Sequence, residues 1–361
     1  MELETVTYQE IIDGYSPTGD KYGLASFSLA EPRLSAFLSN PNLTDKSAVM
    51  LKIMREDGVI IGRSMMFPSI LKAGDKLINT VGGSALEVAE EYRGGEAVGG
   101  LMMYNIKHKE NNAVISSGFS AIAAKCHKAL RAYMLYFPQM IQVKNFRKVL
   151  PLMVTNQFLS SILGAIGNFF IWPFLNIVKA RSSRKYHSYQ VKQVNIVPEW
   201  VDEIVLNDGH KFTEVHDHKW LQWNLDNMFH AHRFNNTRFY TVSLGDENLG
   251  FFMVKERYTV NEGKNRTEMV EGTICEWGTK NPSILSEFDL HLMALKTFSK
   301  NVDVVFMATN DMNIVKRMKH LFFVRKNEAK IAFYDLKKEY KDAKDINLWR
   351  VRIGYGDSIL S

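Results

Sequence analysis

The chain has 361 residues, 46% of them hydrophobic and 23% charged, which excludes a disordered or fibrous protein and leaves room for two domains with full cores. The formal net charge of +6 is a mild surplus spread along the chain; it lacks the dense basic stripes of a nucleic-acid interface, so no specific nucleic acid is expected. The two cysteines, Cys126 and Cys275, make no CxxC, and the N-terminus MELETVTYQE has no apolar signal core, so a reducing, cytoplasmic location is the expectation.

After an opening of scattered Gly, Pro and aromatic residues, short helices are expected around Leu34 to Leu38. The apolar runs Ala48 to Met54 and Val59 to Phe67, joined by Glu56-Asp57-Gly58, read as a hairpin. A third strand, Leu77 to Glu90, carries Gly82 and Gly83, where a bulge or close backbone approach is expected. A glycine-rich corner follows, and Val98, Leu101, Met102 and Ile106 then recur at helical spacing. Beyond Asn111-Asn112 come a strand, Ala113 to Phe119, a helix, Ala121 to Tyr133, and a strand, Phe137 to Val143.

The corner, SALEVAEEYRGGEAVGGLMM from Ser84 to Met103, is the stretch that most looks like chemistry. A strand-loop-helix of this kind aims several backbone N–H groups and the positive end of a helix dipole at one spot, which suits a pyrophosphate. Arg93 at the loop entrance adds a charge clamp.

This element order, with LEVAEEYRGGEAVGGLM after the third strand, resembles the GNAT acyltransferase superfamily over roughly residues 45 to 145. In that family the loop binds the pyrophosphate of acyl-coenzyme A, and the preceding strand polarises the thioester carbonyl through a backbone N–H at a bulge. The resemblance implies that Val88 offers that amide, that Arg93, Gly94 and Gly95 open the loop, that Ala97, Val98 and Gly99 continue the cradle, and that Leu101 anchors the helix. Glu96 and Val98 depart from the usual glycine or alanine; a carboxylate in the first turn suits the dipole but repels a pyrophosphate if it points inward. The co-substrate implied is acetyl-coenzyme A or another acyl-coenzyme A. Amine acylation needs a base and an acid. Glu87 and Glu90 flank the strand end where the base belongs, and aligning Ser120 with the residue that opens the next helix brings His127 to the place of the family's tyrosine acid. The candidate catalytic pair is Glu87 and His127.

From Val149 to Val178 no residue is charged, and basic residues flank both ends. Val154, Phe158, Ile162, Ile166, Phe170, Phe174 and Val178 repeat every four residues, with Asn156, Ser160, Gly164, Asn168 and Asn176 on another face and Pro173 as a kink. Three readings follow: a helical arm between domains or subunits, a membrane-surface helix through residues 154–178, and a membrane span.

The basic stretch SSRKYHSYQVKQ reads as a linker. A second domain then opens with Asn195 to Leu206 and the helix Lys219 to Phe229, and HDHKWLQWNLDN resembles a pattern of tandem GNAT proteins. A second hairpin, Phe239 to Leu244 and Leu249 to Glu256, copies the first: VIIGRSMMF and ENLGFFMVK place Gly62 and Gly250 equivalently. Val270 to Trp277, a helix without an Arg-Gly corner, Val302 to Ala308, the helix Met312 to His320 and the strand Ala329 to Tyr334 complete the repeat. This copy lacks the means to hold coenzyme A in the usual way. His216, His218, His230 and His232 form two HxH pairs without carboxylate or cysteine at ligand spacing, so no metal is expected. Trp220, Trp223 and Phe229 read as core.

The expectation is an α/β protein of two tandem GNAT-like domains, each a mixed, mostly antiparallel sheet flanked by helices: residues 1–148 with the acyl-coenzyme A loop, 149–190 the apolar arm and linker, and 191–361 without the loop. Its expected function is acyl transfer to the amine of a small or carrier-linked acceptor, with a homodimer as a further option. The alternatives are a non-catalytic ligand-binding or interaction protein on degenerate copies and an aminoacyl transferase of the tandem-GNAT kind.

Overall fold

The computed structural model describes residues 1–93, 96–107, 113–229, 232–262 and 264–354. The first half runs β1 (Glu2–Thr7), α1 (Tyr8–Ile12), α2 (Leu24–Ser28), α3 (Arg33–Leu38), β2 (Val49–Glu56), β3 (Val59–Ala73), β4 (Lys76–Val88), α4 (Glu96–Lys107), β5 (Ala113–Ser117), α5 (Ala121–Ala129) and β6 (Tyr133–Val143). Then come α6 (Phe146–Val149) and the long helix α7 (Gln157–Lys185). The second half runs β7 (Tyr189–Val194), α8 (Val201–Leu206), β8 (Phe212–Glu214), α9 (His218–Asp226), β9 (Asn236–Leu244), β10 (Glu247–Glu262), β11 (Arg266–Thr279), α10 (Glu287–Thr297), β12 (Val304–Ala308), α11 (Met312–Lys319) and β13 (Val324–Asp335).

The local signals behave as their chemistry requires. Asp57 and Gly58 both take positive φ, the two-residue turn that matches strand twist, and close the β2–β3 hairpin. Gly62 leaves room for Leu101 of α4, whose Cδ1 lies 3.0 Å from where a β-carbon would stand, and Gly250 admits the Gly278 carbonyl of the neighbouring strand at 2.7 Å and Leu285 at 3.2 Å, with Leu290 of α10 in ordinary contact at 3.5 Å. The repeated glycine marks a close approach to each of two equivalent strands.

Among the described residues the strands form one sheet in the order β1-β2-β3-β4-β5-β13-β6-β12-β11-β10-β9-β7, with β8 on β3. The β2-β3-β4 meander and parallel β5 recur as β9-β10-β11 and parallel β12. The last strands, however, are exchanged: β13 pairs with β5, β6 pairs with β12, and β6 and β13 pair with each other at the centre. The boundaries at 148 and 191 therefore do not separate two closed sheets. The core is shared as well. Met50, Leu51 and Phe67 pack in one cluster with Trp220, Trp223, Phe239 and Phe251, and the Trp223 indole donates to the Ala36 carbonyl at 2.8 Å.

One expectation is corrected. The basic stretch read as a linker contains most of β7, an edge strand on β9 whose middle residues, Gln190 to Gln193, are exposed. The arm buries Ser160 and Gly164 while Phe158, Ile162, Ile166, Phe170 and Phe174 are exposed, so the small residues in the middle of the stripe face the protein and its ends, Asn156 and Asn176, are exposed. The helix continues through Pro173.

Candidate functional site

β4 and β5 run parallel from Thr80 to Gly83 against Ala113 to Ser116 and then part. β4 continues to Val88, whereas β5 ends at Ser117 and turns away at Gly118. The gap opens a cleft of about 690 Å³ walled by Ser84 to Val88, Arg93, Val98, Ser116 to Ser120 and His127.

The β4 wall is bulged. Met65 pairs with Ser84 and Arg63 with Glu87, so Ala85 and Leu86 share the span opposite Ser64, and Ala85 takes a φ of 49°. Arg63 holds this shape: its guanidinium donates to the Ala85 carbonyl at 2.9 Å, to Ser28 Oγ at 3.0 Å and to Glu87 Oε2 at 2.7 Å, over the Phe27 ring. The Ala89 N–H donates to Ile61 in β3 at 2.8 Å, so by strand alternation the Val88 N–H turns the other way, towards the gap.

The other expected residues distribute as follows. Arg93 is exposed at the cleft edge, its Nε donating to the Val88 carbonyl at 3.2 Å. Gly94 and Gly95 lie outside the described residues. Glu96, the first residue of α4, is exposed and is not among the residues that line the cleft. Ala97 is a core residue packed with Met54, Ile61, Val88 and Leu101, so only its backbone is available to a ligand. Val98 lines the cleft, and Gly99 is half-buried with open space where a side chain would stand.

Glu87 and His127 both line the cleft. Glu87, about half exposed, is ion-paired to buried Arg63. His127 is buried, its Nδ1 lies 2.6 Å from the Tyr334 hydroxyl, and its ring tilts against Phe119. Burial pushes the imidazole down to about 4, so the ring is neutral at physiological pH and does not serve as an imidazolium acid. Reading the sequence did not single out Arg63 or Tyr334. A lone arginine inside the apolar run VIIGRSMMF was a usable signal for the first; no local signal existed for the second, which arrives on β13 from the other half.

The corresponding gap of the second half is filled. Past the paired stretch of β11 and β12, the segment from Trp349 to Gly354 lies in place: Arg352 bridges Thr309, Arg350 donates to the Trp277 carbonyl at 2.9 Å and pairs with Glu287 at the start of α10, and Gly354 sits against Glu276. Beneath it is a buried ionic cluster in which Glu276 binds Arg352 and His216, with Glu214 on the far side of the same ring at 3.2 Å. Burial works against charge on His216, but Glu276 and Glu214 outweigh it and push the imidazole up to about 9. Sequence spacing hid Glu276, which comes from β11, 60 residues away, whereas Glu214 of β8 stands two residues before His216. His218 pairs with Asp202 at 2.6 Å, His232 stacks on Tyr258, and His230 lies outside the described residues.

No family model and no curated protein sequence matches the chain. Its structure is similar to a GCN5-related N-acetyltransferase from Anabaena variabilis, with a TM-score of 0.54 and 10% identity over 93% of this chain and 72% of that one. It is equally similar to Saccharomyces cerevisiae N-myristoyltransferase with bound myristoyl-coenzyme A, with a TM-score of 0.54 and 10% identity over 92% of this chain and 82% of that one. A further structure of that yeast enzyme, with myristoyl-coenzyme A and inhibitors, gives a TM-score of 0.56 at 10% identity over 92% and 80%. The chain thus has a GNAT-type N-acyltransferase fold.

Proposed function

We propose that the cleft between β4 and β5 binds an acyl-coenzyme A and that the protein transfers the acyl group to an amine. The observation that carries this reading is the Val88 N–H turned into the gap between β4 and β5, in a cleft that Arg93 and Val98 of α4 also line. The pyrophosphate is held by Arg93 and the amides that open α4, and the thioester carbonyl accepts from Val88 N–H. Negative charge that develops on that oxygen during attack is stabilised by the same donor. The amine nitrogen forms the new bond to the carbonyl carbon, the carbon–sulfur bond breaks, the amine gives up a proton and the thiol gains one.

Glu87 is the carboxylate nearest that chemistry and accepts the amine proton, with Arg63 fixing its position. In the tautomer in which Nδ1 accepts from the Tyr334 hydroxyl 2.6 Å away, His127 carries its hydrogen on Nε2 and offers it to the leaving sulfur as a hydrogen bond. A second cavity of about 590 Å³ shares Ser117, Gly118 and Phe119 with the cleft and is bordered by Gln139, Asn327, Glu328 and Lys330; it gives a polar acceptor a way to the same carbonyl. Acetyl-coenzyme A is the first donor to try. A non-catalytic ligand-binding role is the second reading, favoured by the ion pair that engages Glu87 and by the neutral His127. Calorimetric titration with acetyl- and longer acyl-coenzyme A should give one site per chain; binding without thiol release in the presence of amines would select the second reading, and no binding would remove both.

A further inference from the structure

The long helix α7 is built inside out for water. On the side facing the protein it carries small and polar residues: Gly164 rests on the Arg147 backbone, Gly167 on the Phe146 ring, and Asn168 accepts from Phe146 N–H at 2.6 Å while donating to Asn145. On the outer side Phe158, Phe169 and Trp172 are 77%, 74% and 68% exposed, and Ile162, Phe170 and Phe174 join them. At 100° per residue these side chains cover an arc of about 200°. An exposed apolar surface of that size marks an interaction site.

The arc identifies its occupant. Two helices meeting in a dimer cover a stripe of about 100°, which leaves half of this surface in water. Lipid covers all of it, and small residues turned inward with large apolar ones turned outward is the pattern of helices packed in a bilayer. The charge distribution agrees: no residue from Val149 to Val178 is charged, while exposed cations lie on the elements that flank the helix, Arg147 and Lys148 on α6 against Gly164, and Lys316 and Lys319 on α11, just before Phe322, whose ring packs on Phe174 at 5.2 Å. Such a rim suits anionic head groups.

The helix does not cross the membrane. β6 before it and β7 after it belong to the same sheet, and it touches the body at separate points: Gly164 on Arg147, Phe174 on Phe322, and the Tyr186 hydroxyl on Asp289 of α10. A helix of 29 residues, about 43 Å long, that is fixed along its length to one folded body lies in the plane of the surface it enters. We propose that α7 is an in-plane membrane anchor that seats the protein on a leaflet containing anionic lipid.

Sedimentation of the full chain with vesicles of phosphatidylcholine alone, and of phosphatidylcholine with phosphatidylglycerol, tests this. The anionic vesicles should be bound at least about tenfold more tightly. Replacing Phe158, Phe169 and Trp172 together by serine should weaken that binding at least about tenfold, since three large side chains no longer leave water, with the melting temperature unchanged or raised. A fluorescent label on Phe169→Cys should shift to the blue on the same vesicles. Equal sedimentation of parent and variant would overturn the proposal, as would a parent dimer that the substitutions dissociate without any vesicle binding. Resistance to alkaline carbonate extraction would overturn the in-plane placement. None of these readouts depends on coenzyme A.

Discussion

The Nδ1 of His127 on α5 lies 2.6 Å from the hydroxyl of Tyr334 on β13, so the wall of the first half's cleft is completed by a residue 207 positions away in the second. The exchange of β6 and β13 brings the two together. A site described from residues 1–148 alone is therefore incomplete.

That exchange predicts that residues 1–148 do not fold by themselves, because β5 and β6 would each lose the strand that lies between them. The fragment should be insoluble or show no cooperative melting. Co-expression with residues 149–361 should restore a soluble complex. A monomeric, cooperatively melting fragment would show that the exchange is dispensable.

The two buried histidines predict opposite limbs of a stability curve against pH. His127 falls to about 4 in the fold against 6.5 unfolded, so its contribution is complete above pH 6.5 and lost as pH drops from there towards 4. His216 rises to about 9, so its contribution is complete below pH 6.5 and lost as pH climbs towards 9. Each limb amounts to up to about 3 kcal/mol. Melting temperatures across this range should peak near pH 6.5, and His127→Gln should flatten the acid limb alone. A parent curve without an acid limb would contradict the neutral, buried ring.

Arg93→Ala should weaken coenzyme A binding by about 1.5 to 3 kcal/mol, the scale of a hydrogen bond to a charged group, and leave the melting temperature unchanged because the residue is exposed. Glu96→Gly should have little effect on affinity, since the carboxylate already faces water. Tighter binding on removing Glu96 would mean that it turns towards the ligand.

Glu87→Gln separates a structural carboxylate from a catalytic one. It leaves Arg63 buried with its nearest negative charge removed, so the protein should lose about 2 kcal/mol of stability. If Glu87 also takes the amine proton, kcat should fall at least about a hundredfold with little change in the KM for acyl-coenzyme A. A destabilised variant with full activity would confine Glu87 to its pair with Arg63.

The sequence by itself determined whatever short-range chemistry decides. Asp57-Gly58 specified a turn, Gly62 and Gly250 marked a close approach to each of two equivalent strands, the stretch around Arg93 announced a strand-loop-helix, and the Trp220–Trp223 stripe declared itself core. Only the tertiary structure decided which strand lies beside which. The alternation in β6 and β13 fits a place beside either penultimate strand, and packing of the whole chain selects the exchange. It also decided that Trp349 to Gly354 fills the second gap while the first stays open, and that Glu276 of β11 meets His216, 60 residues away, because these groups come from separate elements. The direction of α7 belongs to the same class. A repeat of four shows that a helix has two faces, but the inner one is the face that fits its neighbours, and here the ridge formed by α6 admits Gly164 and Gly167 and leaves the phenylalanines outside.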